Sequence, residues 1–232
     1  MNRLLTTALL LVTSAAAFAQ NASSGIFKSV HSAHDVSLAT DPGSPFWRGA
    51  LPVSAEVDAH GKPVPTLRTE VRSRWTKENL YLLYVCPYEE LHLKLDPNTE
   101  VETNQLWNWD VAELFIGSNF QNIKLYKEFE VSPQGEWIDL DINLDHPHHE
   151  DGWTWNSGFQ VAARIDRKAN VWYAAMRIPF SAIDQRKPVA GIVFRANLFR
   201  TEREHSVAWQ APMSDTFHTP EHFGRLELVD KK

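Results

Sequence analysis

Residues 67–86 read L-R-T-E-V-R-S-R-W-T-K-E-N-L-Y-L-L-Y-V-C. In the first half Leu67, Thr69, Val71, Ser73 and Trp75 alternate with Arg68, Glu70, Arg72 and Arg74. A period of two puts one face of a strand in a core and the other in water. From Asn79 to Cys86 both parities are apolar, which predicts a central strand covered on two sides and ended by Pro87, since proline has no N–H for a ladder. Working outward, strand patterns recur at 111–117, 123–131, 136–143, 158–166, 171–178, 191–201, 206–210 and 225–229. Turn material such as Ser132-Pro133-Gln134-Gly135 and Asp151-Gly152 separates them. One helical turn is expected at Pro179-Phe180-Ser181-Ala182-Ile183, between two strands. About ten short strands without a long helix predict an all-β fold, a single-domain antiparallel β-sandwich.

The chain has 232 residues, a formal charge of −6 and 43% hydrophobic residues. That composition suits a folded domain and argues against nucleic acid or an anionic membrane surface as partner. Arg3, a Leu/Ala/Val run and Ala17-Phe18-Ala19 have the layout of a secretory signal too short to span a membrane. Residues 1–19 are therefore expected to be removed after Ala19, with export to the periplasm or beyond. Residues 20–35 read as a loose arm and 36–230 as the folded unit. The single cysteine, Cys86, cannot form a disulfide within the chain, and its place among Leu83, Tyr84 and Val85 predicts a buried, inert thiol.

Carboxylates suited to sugar hydrolysis are plentiful: Asp110, Glu113, Glu128, Glu130, Asp139 and Asp141. Nothing in their spacing sets an acid and a base at a defined separation, and no G-x-S-x-G elbow occurs, so no catalytic residue is assigned. His146-Pro147-His148-His149-Glu150-Asp151 has the donor types of a zinc or copper site, but a loop tip of this kind is expected to face solvent. Pro220 argues against His218 and His222 as a helical pair. Asp139, Asp141 and Asp145 are the candidate calcium ligands, although they lack an Asp-x-Asp-x-Asp-Gly loop.

Nine tryptophans are the most informative part of the composition. Trp107 and Trp109 flank Asn108 before an apolar strand, and Trp209 closes another. An indole in such a place either plugs the end of a sandwich or receives a ligand. A sugar ring offers an apolar C–H face to an indole and hydroxyls to charged or amide groups.

Six segments in order carry a likeness: W-N-W-D-V-A-E-L-F-I from Trp107, L-Y-K-E-F-E-V-S-P-Q-G-E-W-I-D-L-D-I-N from Leu125, W-N-S-G-F-Q-V-A from Trp155, W-Y-A-A-M-R-I-P-F from Trp172, F-R-A-N-L-F-R from Phe194, and A-W-Q-A-P with F-H-T-P-E-H-F-G-R-L from Ala208 and Phe217. Together they resemble a family-nine carbohydrate-binding module, from about Asp41 to Val229. The resemblance implies a secreted, non-catalytic β-sandwich, often calcium-stabilised, that holds a glucan or xylan sugar between two Trp rings in polysaccharide utilisation. It places Trp107 and Trp209 at the clamp, Glu113 on sugar hydroxyls, Lys127 at a basic position, and Arg195 and Asn197 in the polar set. Many members read W-x-D-D-S-V-E where this chain has Trp109-Asp110 and Ala112. The alternative is an exported haem-b electron-transfer sandwich with Met176 or Met213 as axial ligand. A domain that only docks a protein partner is a further possibility.

Overall fold

The computed structural model describes residues 25–231, so the expected signal segment and its cleavage after Ala19 lie outside the described residues. Twelve strands follow in chain order: β1 (Ile26–His31), β2 (Val53–Ala55), β3 (Thr69–Trp75), β4 (Asn79–Pro87), β5 (Val111–Gly117), β6 (Leu125–Val131), β7 (Trp137–Asn143), β8 (Gln160–Asp166), β9 (Val171–Pro179), β10 (Val193–Glu202), β11 (His205–Ala208) and β12 (Gly224–Val229). One helical turn, α1 (Phe180–Ile183), sits where the sequence predicted it, with Pro179 at its N-cap. The strand predicted to stop at Pro87 includes that residue, which pairs opposite Val171.

Hydrogen bonding runs along one path, β7-β6-β5-β10-β12-β1-β3-β4-β9-β8, with β11 added to β10 and β2 to β3. β1 joins the two wings. It lies parallel to β12 over five residue pairs and parallel to β3 through only Val30–Arg74 and His31–Trp75. The sheet is therefore mixed rather than antiparallel throughout, and residues 26–31 of the expected loose arm are an interior strand. The reason is visible in burial: Phe27 and Ser29 are fully covered, which a six-residue strand achieves only between two neighbours.

The wings fold over a shared core. Leu114 and Phe129 of β5 and β6 meet Leu82 and Trp172 of β4 and β9 in one cluster. Each such side chain contributes about 1.5–3 kcal/mol on burial. Met176 is fully buried in this core, and Met213 is exposed in the segment after β11. Cys86 is also fully buried, and burial pushes its thiol up to about 12, as an inert mid-strand cysteine requires.

The outer face of the β3 wing is covered, one more layer than the alternation in β3 suggested. Residues 32–50 roof the outer face of β3, β4 and β9, where Trp47 packs with Tyr81, Leu83 and Ala175. Beneath this roof the arginines expected in water donate to backbone carbonyls: Arg72 to Pro42 at 2.9 Å and Arg74 to Arg48 at 2.7 Å. The other outer face, on β5–β7 and β10, has its own apolar cluster and is only partly covered by loops. Among the described residues no helix is long and apolar enough to cross a membrane.

Candidate functional site

Strand parity builds the partly covered face. Val111, Glu113 and Phe115 of β5 point outward while Ala112, Leu114 and Ile116 enter the shared core. On β6 the outward set is Tyr126, Glu128 and Glu130, and on β10 it includes Phe199 and Thr201. Above them lies a groove of about 540 Å³. Glu113, Phe115, Glu128, Leu140, Thr201 and Ser206 form its floor; Trp107 stands on one border, His149 with Glu150 on a second, and Phe217 with His218 on a third.

The borders are held by aromatic contacts. The Phe217 ring lies parallel on Phe199, with centroids 4.3 Å apart and an angle of 3°. His218 stacks on Phe115 at 5.3 Å and meets His149 edge-on at 4.3 Å. Its Nδ1 shares a 2.5 Å hydrogen bond with the Tyr126 hydroxyl. Burial, followed by the neighbouring His149, pushes the His218 pKa down to about 4, so the ring is neutral at pH 7. Trp107 is half-buried, packs against the outer apolar cluster and lines the groove beside polar groups.

The floor is acidic. Glu113 and Glu130 pair across β5 and β6, and Glu128 stands two residues along on the same face. Burial raises all three carboxyls: Glu128 to about 7, and Glu113 and Glu130 well above the ordinary range, with mutual repulsion adding to the rise. Glu113 and Glu128 line the groove from the sheet, and Glu150 and Asp215 line it from the loops.

Of the six residues expected to form a sugar site, Trp107 and Glu113 come together and four do not. Trp209 is only 3% exposed and packs edge-on against Phe27 at 6.0 Å, inside the shared core. Asn197 is fully buried: its amide donates to the Gln210 carbonyl at 2.8 Å and its oxygen accepts from Gln210 N and Leu198 N. Arg195 lies on the outer parity but donates to the Asn119 and Leu125 carbonyls at 3.1 and 3.3 Å, over Gly117, where a Cβ would stand 2.7 Å from its guanidinium. Lys127 has the inner parity of Phe129 and Val131. At the end of the sandwich it pairs with Asp141 and lies 4.4 Å over Trp155, beside a separate depression of about 850 Å³.

Nor do the calcium candidates converge. Asp139 is buried and takes the Ser157 hydroxyl and N–H, Asp141 is paired with Lys127, and Asp145 with Lys124. Sequence reasoning missed Phe217 and the place of His218, because loop residues 213–219 carry no periodicity, and missed Thr201 and Ser206, whose hydroxyls on strands β10 and β11 carry no local sign of a ligand face. Glu128 and Glu130 did leave a signal: they share the parity of Tyr126.

Comparison with known proteins agrees with this architecture. The family model described as "Carbohydrate family 9 binding domain-like" matches residues 44–231. The chain belongs to this family. As a family-nine domain it is similar to an extracellular protein of Arthroderma benhamiae, 24% identical over 184 residues, which cover 72% of this chain and 81% of that protein. Its fold is similar to that of a family-nine carbohydrate-binding module from Caldicellulosiruptor kristjanssonii solved with cellotriose, with a TM-score of 0.62 at 11% identity, covering 89% of this chain and 95% of the other. The same holds for a Caldicellulosiruptor kristjanssonii module solved with glucose, with a TM-score of 0.62 at 12% identity and coverage of 88% and 97%. A Bacteroides uniformis structure gives 0.66 at 15% identity, with coverage of 88% and 98%.

Proposed function

We propose that this family-nine domain is an exported, non-catalytic binder of gluco-configured oligosaccharide, and that the groove over Glu113 is its site. The observation that carries this reading is that half-buried Trp107 lines the groove together with Glu113, Thr201 and Ser206. In this reading Trp107 is the platform for a sugar's C–H face, and Phe217 takes the facing position once expected for Trp209. Similar structures bound to cellotriose and glucose support the ligand class, and the extracellular relative supports export. Calorimetric titration with cellotriose, glucose and xylotriose is the test. Saturable binding of the gluco-series by the parent, weakened in Trp107→Ala, is expected; equal binding by both would put the site elsewhere. Mass analysis of secreted protein should find Gln20 as the first residue.

A further inference from the structure

Beneath the groove, the side chains of Glu113, Glu128 and Glu130 converge until one oxygen from each lies within 4.8 Å of the others. They are 2%, 4% and 0% exposed. Three carboxyl groups this close and this dry must be neutralised by protons or by a compensating cation, and no lysine, arginine or histidine among the described residues forms an ion pair with any of them. Lys127 is committed to Asp141, and Arg200 to Glu202.

A second observation is independent of the clustering. Both carboxylate oxygens of Glu130 and the Oε2 of Glu128 are buried with no hydrogen-bond donor from outside the cluster among the described residues. Leaving such groups unmatched costs several kcal/mol each unless a proton or a metal ion satisfies them. Glu113 has one weak donor, the Thr201 hydroxyl at 3.4 Å.

We infer that Glu113, Glu128 and Glu130 bind a calcium-sized divalent cation at the floor of the groove, with its open side available to sugar hydroxyls. The second half of this inference rests on the sugar-binding reading. Donor chemistry selects the ion: three carboxylates and no nitrogen or sulfur suit a hard cation. Calcium accepts carboxylate oxygens at about 2.3–2.6 Å in flexible geometry, which separations of up to 4.8 Å allow, whereas magnesium demands a near-ideal octahedron and gives up its waters reluctantly. Glu113 and Glu128 line the groove, which provides the access path, while Glu130 does not line it. Three side chains leave coordination positions for water or vicinal hydroxyls on the groove side. Asp139, Asp141 and Asp145 play no part.

The test is calcium titration of the chelator-treated full chain by calorimetry, with the thermal midpoint as a second readout. Saturable calcium binding and a raised midpoint are expected in the parent. Glu130→Gln and Glu128→Gln keep the shape of the side chain, and each should weaken calcium at least tenfold, whereas Asp141→Asn should bind as the parent does. No calcium heat and no midpoint change at millimolar concentration would overturn the site and leave the three carboxyls protonated. Unchanged affinity in both Gln variants would overturn it too. Sugar affinity is then measured with calcium and with excess chelator. At least a fivefold loss on chelation is expected; calcium-independent, Trp107-dependent binding would overturn the shared coordination while leaving the sugar site standing.

Discussion

Replacing Trp107 or Trp209 by alanine removes the same side chain from opposite surroundings. Trp107 is half-buried at the groove border, and Trp209 is inside the shared core at 3% exposure. Trp107→Ala should weaken cellotriose binding about five- to thirtyfold, since an indole face covering a sugar is worth about 1–2 kcal/mol. Its unfolding midpoint should change little. Trp209→Ala should cost about 3–5 kcal/mol of folding free energy, read by urea denaturation. His218 adds a pH effect. Its folded pKa is about 4, while the unfolded chain titrates near 6.5. Between those values the unfolded state binds more protons, so the contribution is complete above about pH 6.5 and is lost as pH falls towards about 4. The stability gap between the parent and His218→Gln should therefore narrow on acidification in denaturant melts at several pH values. A constant gap would mean that the folded ring is already charged.

At the scale of elements, β1 and β12 close the fold, and each has one position that tests it. Gly224 opens β12 against the Trp209 ring: a Cβ there would lie 2.6 Å from Cζ3 and Cη2. The ring is held in the core and has little room to give, so Gly224→Ala should destabilise by about 1–3 kcal/mol through overpacking. Phe27→Ala should cost about 3–5 kcal/mol, because β1 couples both wings; an arm lying loosely on the surface would lose almost nothing. Thermal melts of the two variants read both expectations. β10 shows how one strand divides its labour: Phe194, Ala196 and Leu198 fill the core while Arg195 and Asn197 tie neighbouring loops to the outer face. Their polarity on an outward parity is a structural fastening, which a pattern of residue types does not distinguish from a ligand contact.

For the whole molecule, the two wings share one core and should unfold in a single transition. A sugar held in the groove at 100 times its dissociation constant should add about 2.7 kcal/mol. For a chain of this size that raises the midpoint by several degrees, at roughly 2–4 °C per kcal/mol. Differential scanning calorimetry of the parent with cellotriose should show the shift, and Trp107→Ala at the same sugar concentration should show a smaller one, worth about 0.8–1.8 kcal/mol.

Ten of the twelve strands, the helical turn and the single-domain β class were legible in the sequence, because alternation along a strand is a local property recorded every second residue. Trp107 and Glu113 were legible as well, six residues apart on either side of one strand entrance. What local pattern could not carry is which of a strand's two faces meets core, roof or groove. Lys127 and Glu128 are neighbours with opposite destinations, and Trp107 and Trp209 differ only in what folds over them. The interior place of β1, the roof of residues 32–50, the Phe217 border and the meeting of Glu113 with Glu130 all depend on pairings between distant segments. Such pairings exist only once the sheet has folded over its core.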